Sequence, residues 1–140
     1  MKKHYSLYSE SKQSIEELNN WLLENANIIC WTNYPDSWFQ IIGLTSWEKD
    51  SRFQKMMKKF EPYFIEKTID NLEYGEIHHN GKNKFSHYFF KIEGKVKEFI
   101  LKEGPIATSV GFWDPIYYRD QYMIANTIGH EGIVNISESI

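Results

Sequence analysis

Residues 85 to 113 form a segment in which apolar runs alternate with charged positions, and two glycines divide it. The first apolar run stops at Gly94 and the second at Gly104. Glycine adopts the backbone angles that tight turns require, so this pattern predicts three short β-strands joined by two turns. Such a meander needs to bury only one of its faces. The side chains that we expect to be buried in it are Phe90, Ile92, Phe99 and Val110.

Helical spacing of apolar residues marks the segment from residue 12 to residue 25. Ile15, Leu18 and Leu22 recur every three or four positions there, which predicts an amphipathic helix. Ser9, Ser11 and Ser14 offer N-cap oxygens for this helix, and Ser14 with Glu17 also has the spacing of a capping box.

A second helical pattern follows residue 50. Asp50 or Ser51 can cap it, and Pro62 predicts either a kink or the first turn of a new helix. The apolar stripe continues past this proline, so we expect helical structure to extend to Gly75. The stripe begins with Phe53, Met56, Met57, Phe60 and Phe64.

Short β-rich runs occupy other parts of the chain. The predicted strands are residues 5 to 8, 28 to 32, 38 to 44 and 132 to 136. The second and third of these flank a proline-containing turn and predict a hairpin. Asn80-Gly81 predicts another hairpin, with a type I′ turn.

Residues 115 to 128 admit two interpretations. Asp114 followed by Pro115 resembles a helix N-cap with proline at the first helical position, and apolar residues follow at helical spacing, which favours a helix. Tyr117 and Tyr118 are typical of a strand, so a strand is the alternative.

These elements predict a single α+β domain that covers residues 1 to 140. We expect an antiparallel sheet of about five to seven strands, with the 85–113 meander at its centre and roughly two to four helices packed mainly on one face. A chain of this length buries a sufficient core without a disulfide or a metal.

Composition and charge restrict the class of partner and the cellular compartment that we expect. The net charge is −3, from 16 basic and 19 acidic residues, which argues against a nucleic-acid partner. A single cysteine, Cys30, lies in an apolar run and is interpreted as a core thiol in a reducing compartment. No signal peptide and no apolar run of about 20 residues is present, so we expect a cytoplasmic protein without a membrane contact. One predicted helix carries a basic face, interpreted as solvated with RNA contact as the alternative, formed by Arg52, Lys55, Lys58 and Lys59.

No residue pattern predicts a catalytic, metal or cofactor site. The densest group of histidines, His78, His79 and His87, surrounds a predicted solvent-facing turn that sets their side chains apart. His130 begins a sequence like a zinc-protease motif, but the second histidine position of that motif holds Val134. We therefore predict no catalytic residue, no metal and no cofactor, and we expect a non-enzymatic protein.

Aromatic residues make up 16% of the chain, and they cluster with carboxylates at two predicted turns. Trp and Tyr beside acidic groups are typical of protein-binding hot spots and also of pocket rims. The predicted partner-binding residues are Asp36, Trp38, Trp113, Asp114, Tyr117, Tyr118 and Asp120.

Small size, mild acidity, abundant aromatics and the lack of catalytic motifs favour a protein-binding module. In these respects the composition is similar to that of bacterial immunity proteins, which neutralise a cognate toxin by stoichiometric binding, so we expect a protein partner such as a toxin domain. The alternative is a small-molecule-binding protein or small enzyme, with a pocket between a curved sheet and its helices. An exposed aromatic patch favours the first function, and a concave cavity with a few polar groups favours the second.

Overall fold

The structure, a computed structural model, describes residues 2–35, 47–70, 72–73, 76–77 and 85–138. Its strands are β1 (His4–Ser6), β2 (Ile28–Asn33), β3 (Phe64–Asp70), β4 (Leu72–Glu73), β5 (Glu76–Ile77), β6 (Phe85–Lys91), β7 (Trp113–Arg119), β8 (Tyr122–Ile128) and β9 (Ile133–Ile136). Its helices are α1 (Lys12–Asn25), α2 (Ser51–Phe60) and α3 (Gly94–Glu103). In these residues an antiparallel seven-stranded sheet has the order β1-β9-β8-β7-β2-β6-β3, and β4 pairs with β5 separately. The predicted α+β class with an antiparallel sheet is confirmed.

Trp31 of β2 lies at the centre of the core and is fully buried. Its ring stacks on Phe60 of α2 at 5.8 Å between centroids, and it meets Phe99 of α3 edge-on at 6.1 Å. Leu18 and Leu22 of α1 belong to the same buried cluster. The three helices therefore pack on the face of the sheet that Trp31 occupies. Each aromatic pair of this kind adds about 0.5–1.5 kcal/mol beyond the burial of area.

The first helix, α1, spans the predicted residues. Its cap is Ser11, whose Oγ accepts a hydrogen bond from the backbone N–H of Ser14 at 3.1 Å. Ser11 is one of the three serines that the sequence offers as a cap, whereas the capping box of Ser14 with Glu17 is wrong because Ser14 lies inside the helix. Leu18 and Leu22 are buried, as their spacing predicts.

The middle of the predicted meander is the helix α3 rather than a strand. Val96, Phe99 and Ile100 stand three and four positions apart, and the first and last of them are fully buried. Gly104, which the sequence assigns to a turn between strands, follows the helix at φ 94°, where glycine is favoured. The predicted meander is wrong because its glycines bound a helix.

Burial of the four side chains predicted for this segment is confirmed in part. Phe90 on β6 is fully buried and Ile92 is buried just after it. Phe99 and Val110 are only half-buried.

Residues 113 to 128 form a β-hairpin, so the favoured helix is wrong and the strand alternative is right. β7 and β8 pair antiparallel, and Asp120 occupies the turn between them at φ 54°. The pairing of β2 with β7 shifts register between Cys30 and Thr32, opposite Asp114 and Pro115. A proline fits a strand at such an irregularity because it donates no backbone hydrogen bond.

The helix after residue 50 ends earlier than predicted. Asp50 caps α2 as expected, since its Oδ1 accepts the N–H of Arg52 at 2.8 Å. The helix stops at Phe60, and a short 3₁₀ turn, Glu61–Tyr63, contains Pro62. β3 follows and pairs with β6, and it is the last strand of the sheet in the part of the chain that the structure describes. The predicted helix up to Gly75 is therefore wrong; proline interrupts helical hydrogen bonding at this point.

The remaining strand predictions have mixed outcomes. β1 and β9 confirm the predicted edge strand and last strand, and they pair with each other. β2 confirms the predicted strand after α1, with β6 on one side and β7 on the other. The predicted strand over residues 38 to 44 and the predicted turn at Asn80-Gly81 lie outside the described residues. None of the helices in the described part of the chain is long and apolar enough to span a bilayer.

Candidate functional site

A cleft of about 610 Å³ opens where the end of α3 meets the start of β7. We call it the Asp114 cleft. Its walls come from the chain after β1, the first turn of α1, the residue after β2, the loop after α3 and the turn before β9. The lining is mostly apolar and aromatic, and it includes Leu7, Ile15, Tyr34, Ile106 and Trp113.

Asp114 lies in this cleft with an unusual backbone. Its φ of 48° falls in the left-handed region, which Asp and Asn adopt more readily than other non-glycine residues. The residue is only 3% exposed, and its Oδ1 accepts the backbone N–H of Gly129 at 2.6 Å. Oδ2 has no hydrogen-bond donor in the described part of the chain. The carboxylate of a largely buried residue, with spare acceptor capacity on Oδ2, therefore borders a largely apolar cleft.

Burial raises the pKa of the Asp114 carboxyl above its ordinary value, because apolar surroundings disfavour the charged form. The hydrogen bond from Gly129 and the nearby His130 act in the opposite direction, but burial has the larger effect. An ionised Asp114 is thus poorly solvated. A positive group that enters the cleft interacts with it more strongly than with a surface carboxylate.

The charges around the cleft favour a cation. Glu103 lines the cleft at the C-terminal end of α3, where the last carbonyl groups of the helix carry partial negative charge. Asp114 adds a second carboxylate. Among the described lining residues, only His130 can become positive; its Nε2 lies 3.9 Å from Oε1 of Glu131.

Two fully buried side chains hold the loop that forms the wall after α3. Nε1 of Trp31 donates to the carbonyl oxygen of Ala107 at 2.7 Å, and the hydroxyl of Tyr117 donates to the carbonyl oxygen of Pro105. Burial raises the pKa of Tyr117 well above its usual range, so this hydroxyl remains a donor. The wall is therefore fixed before a ligand arrives, which lowers the entropic cost of binding.

Trp113 forms the aromatic side of the cleft. Its ring centroid lies 5.5 Å from that of Tyr34 and 5.0 Å from that of Trp47. At the rim, the exposed ring of Tyr8 packs on Gly132, where an added Cβ would come within 2.9 Å of it. Aromatic faces attract organic cations as well as apolar groups.

Two of the predicted partner-binding residues line the cleft, the sequence neighbours Trp113 and Asp114. Asp114 and Tyr117 are enclosed by the protein itself, at 3% and 0% exposure, so their interpretation as contacts on an open surface is wrong. Tyr118 is half-buried, and its ring lies 5.9 Å from that of Phe89 on β6. It follows Tyr117 on the strand and so points to the opposite face of the sheet.

Among the predicted contact residues that the structure describes, Asp120 is the one classed as exposed. It lies at the tip of the β7–β8 hairpin, far along the strand from the cleft, and it bonds to Asn27. Asp36 and Trp38 lie outside the described residues.

The described residues contain no group of three or more His, Cys, Asp or Glu side chains placed to hold a metal. His87 is buried on β6 rather than solvent-facing, and its Nδ1 lies 3.2 Å from Oγ1 of Thr32. Cys30 is 1% exposed, which confirms that it is a core thiol.

Glu103 and Gly129 also line the cleft around Asp114, and neither was predicted from the sequence. Both lie more than ten residues from Asp114, and neither stands in a recognisable motif. The available signal was the aspartate next to a proline, which we interpreted as a helix cap.

Comparisons with protein-family models, with curated proteins and with solved structures find no match. The function is therefore inferred from the chemistry of the Asp114 cleft.

Proposed function

We propose that the protein binds a small organic amine in the Asp114 cleft. The observation that carries this proposal is the buried Asp114 carboxylate, which borders apolar and aromatic walls and has one oxygen without a donor in the described residues. Of the two functions expected from the sequence, this concave arrangement favours small-molecule binding.

The charge of the ligand follows from the charges of the cleft. Asp114, Glu103 and the C-terminus of α3 all favour a positive group there. An ammonium group can donate to Oδ2 of Asp114 while Gly129 continues to bond Oδ1. Such a charge-assisted hydrogen bond stabilises a complex by about 1.5–3 kcal/mol.

An organic cation fits the cleft better than a bare metal ion. Calcium takes roughly six to eight oxygen ligands, whereas the described lining offers two carboxylates, one of them on the exposed Glu103. The apolar side chains Leu7, Ile15 and Ile106 suit a hydrocarbon body, and Trp113 suits a cation or a ring. We expect the ligand to carry its amine next to an apolar or aromatic group.

The proposal is tested by comparing 2-phenylethylamine with its neutral analogue 2-phenylethanol. Calorimetry and the fluorescence of the protein report binding. We expect the amine to bind about 10- to 100-fold more tightly than the alcohol, the factor that one charge-assisted hydrogen bond supplies. Asp114→Asn should remove most of this preference, because the variant keeps an acceptor for Gly129 but loses the charge.

Asp120→Asn is the matched control, since Asp120 also has a positive φ and lies outside the cleft. Its affinity for the amine should stay at the wild-type value. Equal binding of amine and alcohol by the wild-type protein, or unchanged amine binding by folded Asp114→Asn, would show that the carboxylate does not select a cation. Absence of binding for all amines of this size would contradict the proposal as a whole.

The second candidate function is the protein-binding module expected from the sequence, including neutralisation of a toxin domain. The tip of the β7–β8 hairpin favours it, because Tyr122 is 69% exposed beside the exposed Asp120. Exposed aromatic residues next to carboxylates are typical contact anchors. If this hairpin tip contacts the partner, Tyr122→Ser should abolish the capture of a protein partner in a pull-down, or the protection of cells against a toxin. Tyr8→Ser at the rim of the cleft should affect neither.

A further inference from the structure

A second cleft, of about 400 Å³, lies between α2 and the start of α3. It is separate from the Asp114 cleft, and we call it the lysine cleft. Its lining residues are Lys55, Lys58, Lys59, Pro62, Tyr63 and Lys95. Three of the lysines come from α2 and the fourth from the first turn of α3.

The four lysines of this cleft have no carboxylate within ion-pairing distance in the described structure. Other basic residues do have one: Arg52 pairs with Asp50 at 2.9 Å and Lys67 with Glu48 at 2.7 Å. In a chain with a net charge of −3, four unneutralised ammonium groups around one small volume form a local positive site.

The fold holds these charges together. Phe53 and Phe60 bury the opposite face of α2 in the core, which turns the lysine face outward. Lys55 stands three and four positions before Lys58 and Lys59, and like charges at this spacing repel and destabilise a helix. A bound anion removes this repulsion.

We propose that the lysine cleft binds a compact oligophosphate group. Ammonium groups bind phosphate through charge and through their three donors, and several of them can surround a di- or triphosphate. The ligand is compact because two exposed carboxylates lie close to the lining residues in the chain: Glu61 directly precedes Pro62, and Glu93 lies two positions before Lys95. Together with the net negative charge of the chain, these carboxylates repel a polyanion that extends beyond the cleft.

Inorganic tripolyphosphate is the probe, titrated calorimetrically at low ionic strength. We expect binding that weakens steeply as salt is added, because the charges are exposed and screened. The double variant Lys55→Gln/Lys95→Gln should bind at least about 10-fold more weakly, since it removes one lysine from each helix. The control, Lys12→Gln/Lys102→Gln, makes the same change of net charge at exposed lysines that do not line the cleft, and we expect less than a two-fold loss from it.

Adenosine triphosphate is a second arm. If adenosine triphosphate binds more tightly than tripolyphosphate, the ligand is a nucleotide. If the two bind equally, the cleft recognises the phosphates alone. Either result supports phosphate binding in the lysine cleft. Asp114→Asn should leave these affinities unchanged, so this inference and the amine proposal fail independently. Three results overturn the inference: no binding of tripolyphosphate at low salt, an equal loss in the control variant, or tighter binding of single-stranded oligonucleotides in proportion to their length.

Discussion

The buried hydroxyl of Tyr117 on β7 donates a hydrogen bond to the carbonyl oxygen of Pro105, in the loop after α3. This bond joins the central sheet to the wall of the Asp114 cleft. Tyr117 was predicted as a surface contact, and its position instead makes it a support of the cleft. Residue Asp114 lies three positions before it on the same strand, so one strand supplies both the carboxylate and the bond that fixes the facing wall.

Tyr117→Phe should destabilise the protein by about 1–3 kcal/mol. The substitution keeps the ring but leaves the carbonyl of Pro105 without its donor in a buried position, which costs the desolvation of that group. Urea denaturation measures the change. Tyr122→Phe, at an exposed tyrosine, is the control and should alter the free energy of unfolding by less than about 0.5 kcal/mol. Equal stability of Tyr117→Phe and wild type would show that the bond adds nothing.

Asp114 should make the stability of the protein depend on pH in an unusual direction. Burial raises the pKa of this carboxyl in the folded state above its unfolded value. Its ionised form is therefore disfavoured by folding, so Asp114 lowers the free energy of unfolding at neutral pH and this loss is relieved as pH falls through the raised pKa. The variant Asp114→Asn has no ionisable group at this position, so its stability lacks this contribution to the pH dependence.

Denaturation curves of both proteins between about pH 7 and about pH 4 test this expectation. Asp114→Asn should be at least as stable as wild type at neutral pH, and its advantage should shrink as the solution is acidified. An advantage that grows on acidification would mean that the carboxyl pKa is lowered rather than raised.

Phe90→Ala should destabilise the protein by about 3–5 kcal/mol, because it removes a large side chain and leaves a cavity. Phe90 is fully buried, and its ring lies 5.6 Å from that of Trp31 and 5.7 Å from that of Phe60. Leu101→Ala, at an exposed position of α3, is the control with an expected effect within about 0.5 kcal/mol. A thermal midpoint of Phe90→Ala close to that of wild type would show that Phe90 does not belong to the core.

The sequence predicted the elements whose periodicity had a single interpretation. The apolar stripe Ile15, Leu18 and Leu22 fits a helix and no strand, and α1 has the predicted bounds. Residues 95 to 101 fit two patterns: Val96 lies between two lysines as in a strand, and it also stands four positions before Ile100 as in a helix. Burial decides in favour of the helix: Val96 and Ile100 belong to the core cluster. Phe99 meets the rings of Trp31 and Phe60, which come from distant parts of the chain.

The site was less predictable than the fold. Trp113 and Asp114 were among the predicted residues because aromatic and acidic groups are adjacent there in the sequence. Their burial was not predictable, since it depends on the turn before β9 and on the loop after α3. Gly129 bonds Asp114 across 15 positions of the chain, and no local pattern predicts such a contact.

Asp120 and Asn27 join the β7–β8 turn to the residue before β2 through two hydrogen bonds. Nδ2 of Asn27 donates to Oδ1 of Asp120 at 2.8 Å, and the backbone N–H of Asp120 donates to Oδ1 of Asn27 at 2.8 Å. Asp120 also has a φ of 54°, which alanine adopts at a cost of about 1–2 kcal/mol.

Asp120→Ala should therefore destabilise the protein by roughly 1–3 kcal/mol, from the lost hydrogen bond and from the strained backbone together. Asp120→Gly separates the two causes, because glycine relieves the strain and lacks the carboxylate; we expect it to be more stable than Asp120→Ala. Asp120→Asn keeps both the acceptor and the tolerated backbone and should match wild type. If Asp120→Ala melts at the same temperature as wild type, the hydrogen bond from Asn27 to the Asp120 carboxylate does not stabilise the turn, and Asp120 stays a candidate for the partner contact that the sequence predicts.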